Sequence, residues 1–231
     1  MKHIKHLLAA GIFALGFGFQ SASAAVISLF EYAFNIDGVI TVDSAPAGAN
    51  IAGFDTTTGL GSITVTLSGA GSRYVGLFVD HEIDQASNTF FNEVGFAFGT
   101  PAAGQTWEID EPGYLDGDIF ENFQDGTLDN AIGESVYGNT AFPDDVSMAL
   151  AWSFNLTADQ TAVISFLLSQ TRPTSGFYLE QFDTDSQASI FFSSSLTIRG
   201  DTTPIPTPGT LALLAAGLLL LSALSGRRKQ A

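Results

Sequence analysis

The sequence predicts an all-β protein, a β-sandwich or jelly roll of about eight to ten strands, flanked by an N-terminal signal helix and a C-terminal transmembrane helix. Three observations predict it. Apolar and polar residues alternate at period two in several runs between residues 26 and 199. Gly, Pro and Asp-Gly pairs (Asp37-Gly38, Asp116-Gly117, Asp125-Gly126) punctuate those runs. The ends differ in charge from everything between them. Lys2, Lys5 and Lys229 are all terminal, whereas residues 25–208 hold all 24 Asp and Glu and only Arg73, Arg172 and Arg199, a net charge of −21.

Residues 1–24 read as a secretory signal peptide. Lys2 and Lys5 supply a basic start, Leu7 to Phe19 is almost wholly apolar or Gly, and Ser21-Ala22-Ser23-Ala24-Ala25 supplies small residues for a cut after Ala24. A permanent anchor is the alternative, but the apolar run is short and ends in small residues.

Residues 25–200 read as one acidic β domain. Phe30, Tyr32, Phe34 and Ile36 mark a first strand with one buried face. Ile63, Val65 and Leu67 mark another, as do Met148, Leu150, Trp152, Phe154 and Leu156, and Ala162, Ile164, Phe166 and Leu168. Ile190, Phe192, Leu196 and Ile198 form a further face, with Ser194 interrupting it. Helical periodicity is confined to a short turn near Asp118–Phe123, and no internal repeat is visible.

Half of the acids lie within 50 residues, from Asp80 to Asp129. In Val75 to Ile83, alternate residues Val75, Leu77, Val79, His81 and Ile83 face one way, and Asp80, Glu82 and Asp84 share the other face. Carboxylates two residues apart on a strand repel one another unless water or a cation intervenes. Calcium is the natural candidate, since it takes six to eight oxygens at about 2.3–2.6 Å. The ligand set that follows is Asp80, Glu82, Asp84, Asp110, Asp116 and Asp118. No EF-hand spacing is present, so a solvated acidic face remains the alternative. Trp107, Tyr114 and Phe120 sit beside the same loop and are candidate platforms for sugar rings.

Composition excludes several functions. A domain with so few cations repels nucleic acid. The absence of Cys removes disulfides, thiolate zinc sites and cysteine nucleophiles. His81 is the one histidine after residue 24, and it falls on the apolar face, where a core histidine is expected rather than a base. Carboxylate pairs such as Glu82 and Glu108 leave a polysaccharide hydrolase open as an alternative, although their abundance carries no information.

The C-terminal segments complete the chain. Residues 201–208 form a proline-rich linker, with Pro204, Pro206 and Pro208 extending the backbone. Residues 209–226 are apolar and rich in Leu and Ala, about 27 Å as a helix, enough to cross a bilayer core. Residues 227–231 carry Arg227, Arg228 and Lys229, which the positive-inside rule keeps cytoplasmic. A plain tail anchor would share the span and the basic flank.

Pro206-Thr207-Pro208, the apolar run from Gly209, and the Arg227-Arg228-Lys229 tip together resemble a PEP-CTERM sorting signal over about the last 28 residues. Thr207 stands where that family's motif has Glu. The resemblance implies export by the secretion translocon and processing near the prolines by an exosortase-type membrane protease. It also implies residence at the surface of a Gram-negative bacterium that makes exopolysaccharide. The expected role is that of a non-enzymatic cell-surface or extracellular-matrix protein. The alternatives are a calcium-dependent carbohydrate-binding module and a hydrolase.

Overall fold

The computed structural model describes residues 25–86, 89, 91–112, 117–133 and 145–200. The expected signal helix and cut-site residue Ala24 lie outside the described residues. So do Tyr114, Asp116, the linker with Pro206, Thr207 and Pro208, the apolar segment 209–226, and Arg227, Arg228 and Lys229. Among the described residues no helix is long and apolar enough to cross a membrane.

Eleven strands and one short helix are present among the described residues, one strand more than the upper expectation. They are β1 (Ile27–Ile36), β2 (Val39–Val42), β3 (Ala49–Asp55), β4 (Leu60–Ser68), β5 (Gly71–Ile83), β6 (Glu93–Phe98), β7 (Gln105–Asp110), α1 (Ile119–Asp125), β8 (Ser147–Leu156), β9 (Gln160–Ser169), β10 (Tyr178–Asp183) and β11 (Ser189–Gly200). Two of these strands are hard to read from sequence, because β2 is only four residues long and β3 contains a bulge and little buried surface. Both lie at sheet edges, where alternation is weak.

The strands form two antiparallel sheets, ordered β2-β1-β5-β8-β7 and β3-β4-β9-β11-β10-β6. Their inner faces make one core. Tyr32, Phe34, Leu77, Val79, Met148 and Leu150 of the first sheet share it with Ile63, Val65, Ile164, Phe166, Leu179 and Phe192 of the second. Burying such a side chain contributes about 1.5–3 kcal/mol, so this core supplies stability without disulfides. Ser194 interrupts the β11 stripe for a reason. Its hydroxyl accepts from Trp152 Nε1 at 2.9 Å and Gln105 Nε2 at 3.0 Å, satisfying an indole N–H inside the core.

The first strand departs from its expected pattern. A β-bulge between Leu29 and Glu31 inserts Phe30 as an extra residue against β5. The bulge turns Phe30 outward, 69% exposed, while Tyr32 and Phe34 regain the inner face.

Helix α1 covers part of the outer face of the five-stranded sheet. Ile119 and Phe123 pack with Leu128 on Ala33, Phe78, Ala149 and Ala151. Gly76 permits the approach, since a Cβ there would lie 2.9 Å from Phe123 Cε2. Asn35 Nδ2 donates to the carbonyls of Phe123 and Gln124, at 2.7 and 3.0 Å, and so satisfies the helix C-terminus from the sheet. Gly126 ends the helix in the left-handed conformation, at φ 71°.

Candidate functional site

Beyond the cover of α1, the outer face of the five-stranded sheet is acidic. Strand pairing sets Glu31 opposite Asp80, Ser28 opposite Glu82, and Asp110 opposite Ser147. Since Val79 pairs with Met148, Asp80 and Ser147 lie on adjacent strands. Glu31, Asp80, Ser147 and Asp110 therefore form a row across four strands. The period-two reading of β5 is correct for Asp80 and Glu82.

Asp80 and Glu82 line a cavity of about 640 Å³ together with Glu111 and Asp145. Phe30, Phe91 and Pro112 supply its apolar wall, and Gln85 its remaining polar edge. Asp80 is 5% exposed and Glu82 8% exposed. Asp80 Oδ1 and Glu82 Oε2 are buried and make no hydrogen bond among the described residues. Burial pushes the Asp80 carboxyl up to about 8, and repulsion from Asp145, Glu82 and Glu31 adds to it against the Ser147 hydroxyl. Burial also raises Glu82.

No described ion pair reaches these acids. Arg73 binds Asp37 at 2.9 Å, and Arg172 lies 3.8 Å from Glu180 with its guanidinium 4.4 Å from the centre of the Phe98 ring. Arg199 is on β11, in the other sheet. Segments 87–90, 113–116 and 134–144 contain no Lys, Arg or His.

A second acidic group lies at the α1 side. Single oxygens of Glu108, Asp110 and Asp118 lie within 4.8 Å of one another. Glu108 accepts from Asn122 Nδ2 and from the Asp129 N–H, both at 3.1 Å, and so braces α1 and the following turn against β7. Asp110 Oδ2 accepts from the Asp118 N–H at 3.1 Å. Burial lifts Glu108 to about 7, opposed by its bonds to Asn122 and the Asp129 N–H. Burial likewise lifts Asp110 to about 6, opposed by the N–H groups of Asp118 and Glu111.

The expected calcium ligands thus fall into two groups. Asp110 is separated from Asp80 by strand β8, about 10 Å at the usual strand spacing. Asp84 does not join either group. It follows the end of β5 with φ 54°, and its Oδ1 accepts from the Val26 N–H at 2.7 Å. That bond ties the half-buried Ala25 segment to the sheet. Glu108, Asp145 and Glu111 were not in the expected set. Asp145 was legible in principle, because extending the β8 alternation back from Ser147 by one step places it on the outer face.

Two other expectations are corrected. Trp107 is half-buried against Phe177, with ring centres 5.6 Å apart, and Phe120 packs edge-on against Phe78 at 5.1 Å. Each ring is thus half-buried and makes a packing contact within the domain. Glu82 and Glu108 do not flank one bond. Glu108 is level with Phe78 across β8, so Glu82 lies four residues along and two strands over, roughly 16 Å away. An inverting glycosidase needs about 6.5–9.5 Å.

His81 is fully buried, as the apolar face implied. Its Nε2 lies 3.1 Å from the Gly59 carbonyl, which can only accept, so Nε2 carries the proton. Burial pushes His81 down to about 4, against that bond, and keeps it neutral.

No known protein family matches the chain. Comparison with curated proteins finds no match. Comparison with solved structures finds none either.

Proposed function

We propose that this chain is an exported, non-enzymatic cell-surface or extracellular-matrix protein, sorted through its PEP-CTERM-like tail and associated with exopolysaccharide. The observation that carries this reading is the order of segments. A cleavable signal precedes an acidic domain, and a proline motif, an apolar span and a basic tip follow it. The translocon and an exosortase-type membrane protease are the partners in this reading, in a Gram-negative cell. The β-sandwich supports it in one respect. Strand β11 ends at Gly200, so the domain closes immediately before the linker.

The test compares the full chain with a chain ending at Asp201 in a host that has an exosortase. The full chain is expected in the surface fraction, and the shortened chain in the periplasm or medium. Equal surface retention of both overturns the reading.

A second reading is favoured by the convergence of Glu108, Asp110 and Asp118 within 4.8 Å. These residues offer only oxygen, which suits calcium, with water completing the shell. Asp118 is exposed and makes no capping bond with its side chain, so Asp118→Asn leaves the fold intact. Millimolar calcium is expected to raise the melting temperature of the full chain but not of that variant. An equal response in both removes the ion from this trio.

A further inference from the structure

The cavity beside β5 combines features that neither sorting nor calcium uses. Its floor carries Asp80 and Glu82, both more than nine-tenths buried, each with a carboxylate oxygen that has no hydrogen-bond partner among the described residues. Glu111 and Asp145 add two more carboxyl groups to its lining. Its wall carries Phe30, 69% exposed, and Phe91, 47% exposed. Leaving the Phe30 ring in water forgoes roughly 1–2 kcal/mol.

The cavity acids do not converge as a bare-ion site does. Among the described residues, Glu108, Asp110 and Asp118 are the one group of three or more acids whose oxygens lie within 4.8 Å of one another. Spaced acceptors in a cavity of about 640 Å³ suit an organic ligand instead, with donors at one end and an apolar body at the other. A primary ammonium group presents three donors and one positive charge. It can bond to carboxylate oxygens and also lie over a phenyl face, within about 6 Å of its centre.

We propose that this cavity binds a ligand bearing a primary ammonium group, held by Asp80 and Glu82 with its carbon skeleton against Phe30 and Phe91. The ligand chemistry has two sources outside a cell: polyamines, and amino sugars whose nitrogen is not acetylated. The assignment concerns the cavity alone and does not depend on whether the tail is processed.

Calorimetric titration of the purified full chain, at about 0.15 M salt to screen the general negative charge, tests it. The probes are spermidine, glucosamine tetramer and N-acetylglucosamine tetramer. At least one amine probe is expected to bind, and the acetylated tetramer is not. Binding of spermidine alone identifies the polyamine class, and binding of the glucosamine tetramer the amino-sugar class. Asp80→Asn with Glu82→Gln is expected to weaken binding at least tenfold. Phe91→Ala, at a half-exposed side chain, is expected to weaken it several-fold. Asp55→Asn, an exposed acid on β3 in the other sheet, is the control for general charge and should change nothing. Equal binding by the cavity variants and the control, equal binding of the acetylated tetramer, or no binding by either amine overturns the proposal.

Discussion

Replacing Glu93 by Gln should flatten the dependence of stability on pH. Glu93 begins β6 and is 1% exposed. Its Oε1 accepts from the Ile83 N–H at 3.3 Å, and its Oε2 accepts from Gln181 Nε2. Burial is the largest influence on it and, with repulsion from Asp145 and Glu82, pushes it up to about 9, against the bonds from Gln181 and the Ile83 N–H. A carboxyl whose folded value is raised stabilises the fold fully below its unfolded value, here 4.5. That contribution is lost as pH rises through the window from 4.5 to about 9. Between pH 4.5 and 7 the loss depends on the unfolded value alone, because the folded group is still protonated at pH 7. At 1.36 kcal/mol per unit it amounts to about 3 kcal/mol. Glu93→Gln removes the titration, and any altered hydrogen bonding shifts its stability equally at every pH. Urea unfolding followed by Trp107 and Trp152 fluorescence, in chelator at pH 4.5, 5.5 and 7, measures the difference. The original chain should lose about 3 kcal/mol more than the variant across that range, equivalent to roughly 6–12 °C in melting temperature. Parallel curves, within 0.5 kcal/mol or so, would refute the claim that burial dominates this site.

Three further outcomes follow from packing. Phe123→Ala empties the contact between α1 and Gly76, Phe78 and Ala151, and should cost about 3–5 kcal/mol in urea unfolding. Gly59→Ala should cost about 2–4 kcal/mol by the same measurement, since φ is +67° and the new Cβ would lie 2.1 Å from His81 Nε2. Trp107→Ala should destabilise by about 1–3 kcal/mol through the lost Phe177 contact, while calorimetry with the amine probes stays unchanged.

Regular alternation made the core strands legible. The faces read for β4, β8 and β9 are buried in the structure, and the short helix falls where a turn was expected. Phe30 was misplaced because a bulge adds one residue without leaving a local signal, and every later residue regains its phase. The acidic face of β5 was legible as far as Asp80 and Glu82. Asp84 was not, because a left-handed residue ends the strand one position earlier. The partners of these acids could not be read at all. Glu111, Asp145 and Phe91 reach the cavity from three chain segments, and no local pattern encodes that juxtaposition. The same limit applied to Trp107, whose type and neighbours suit a sugar platform as well as they suit a contact with Phe177 seventy residues away.

The intact mass of the mature protein, recovered from the cells that make it, bears most directly on export and sorting. A polypeptide starting at Ala25 and lacking Arg227 through Ala231 is the predicted species. Recovery of a cytosolic chain that still holds both ends would contradict the account.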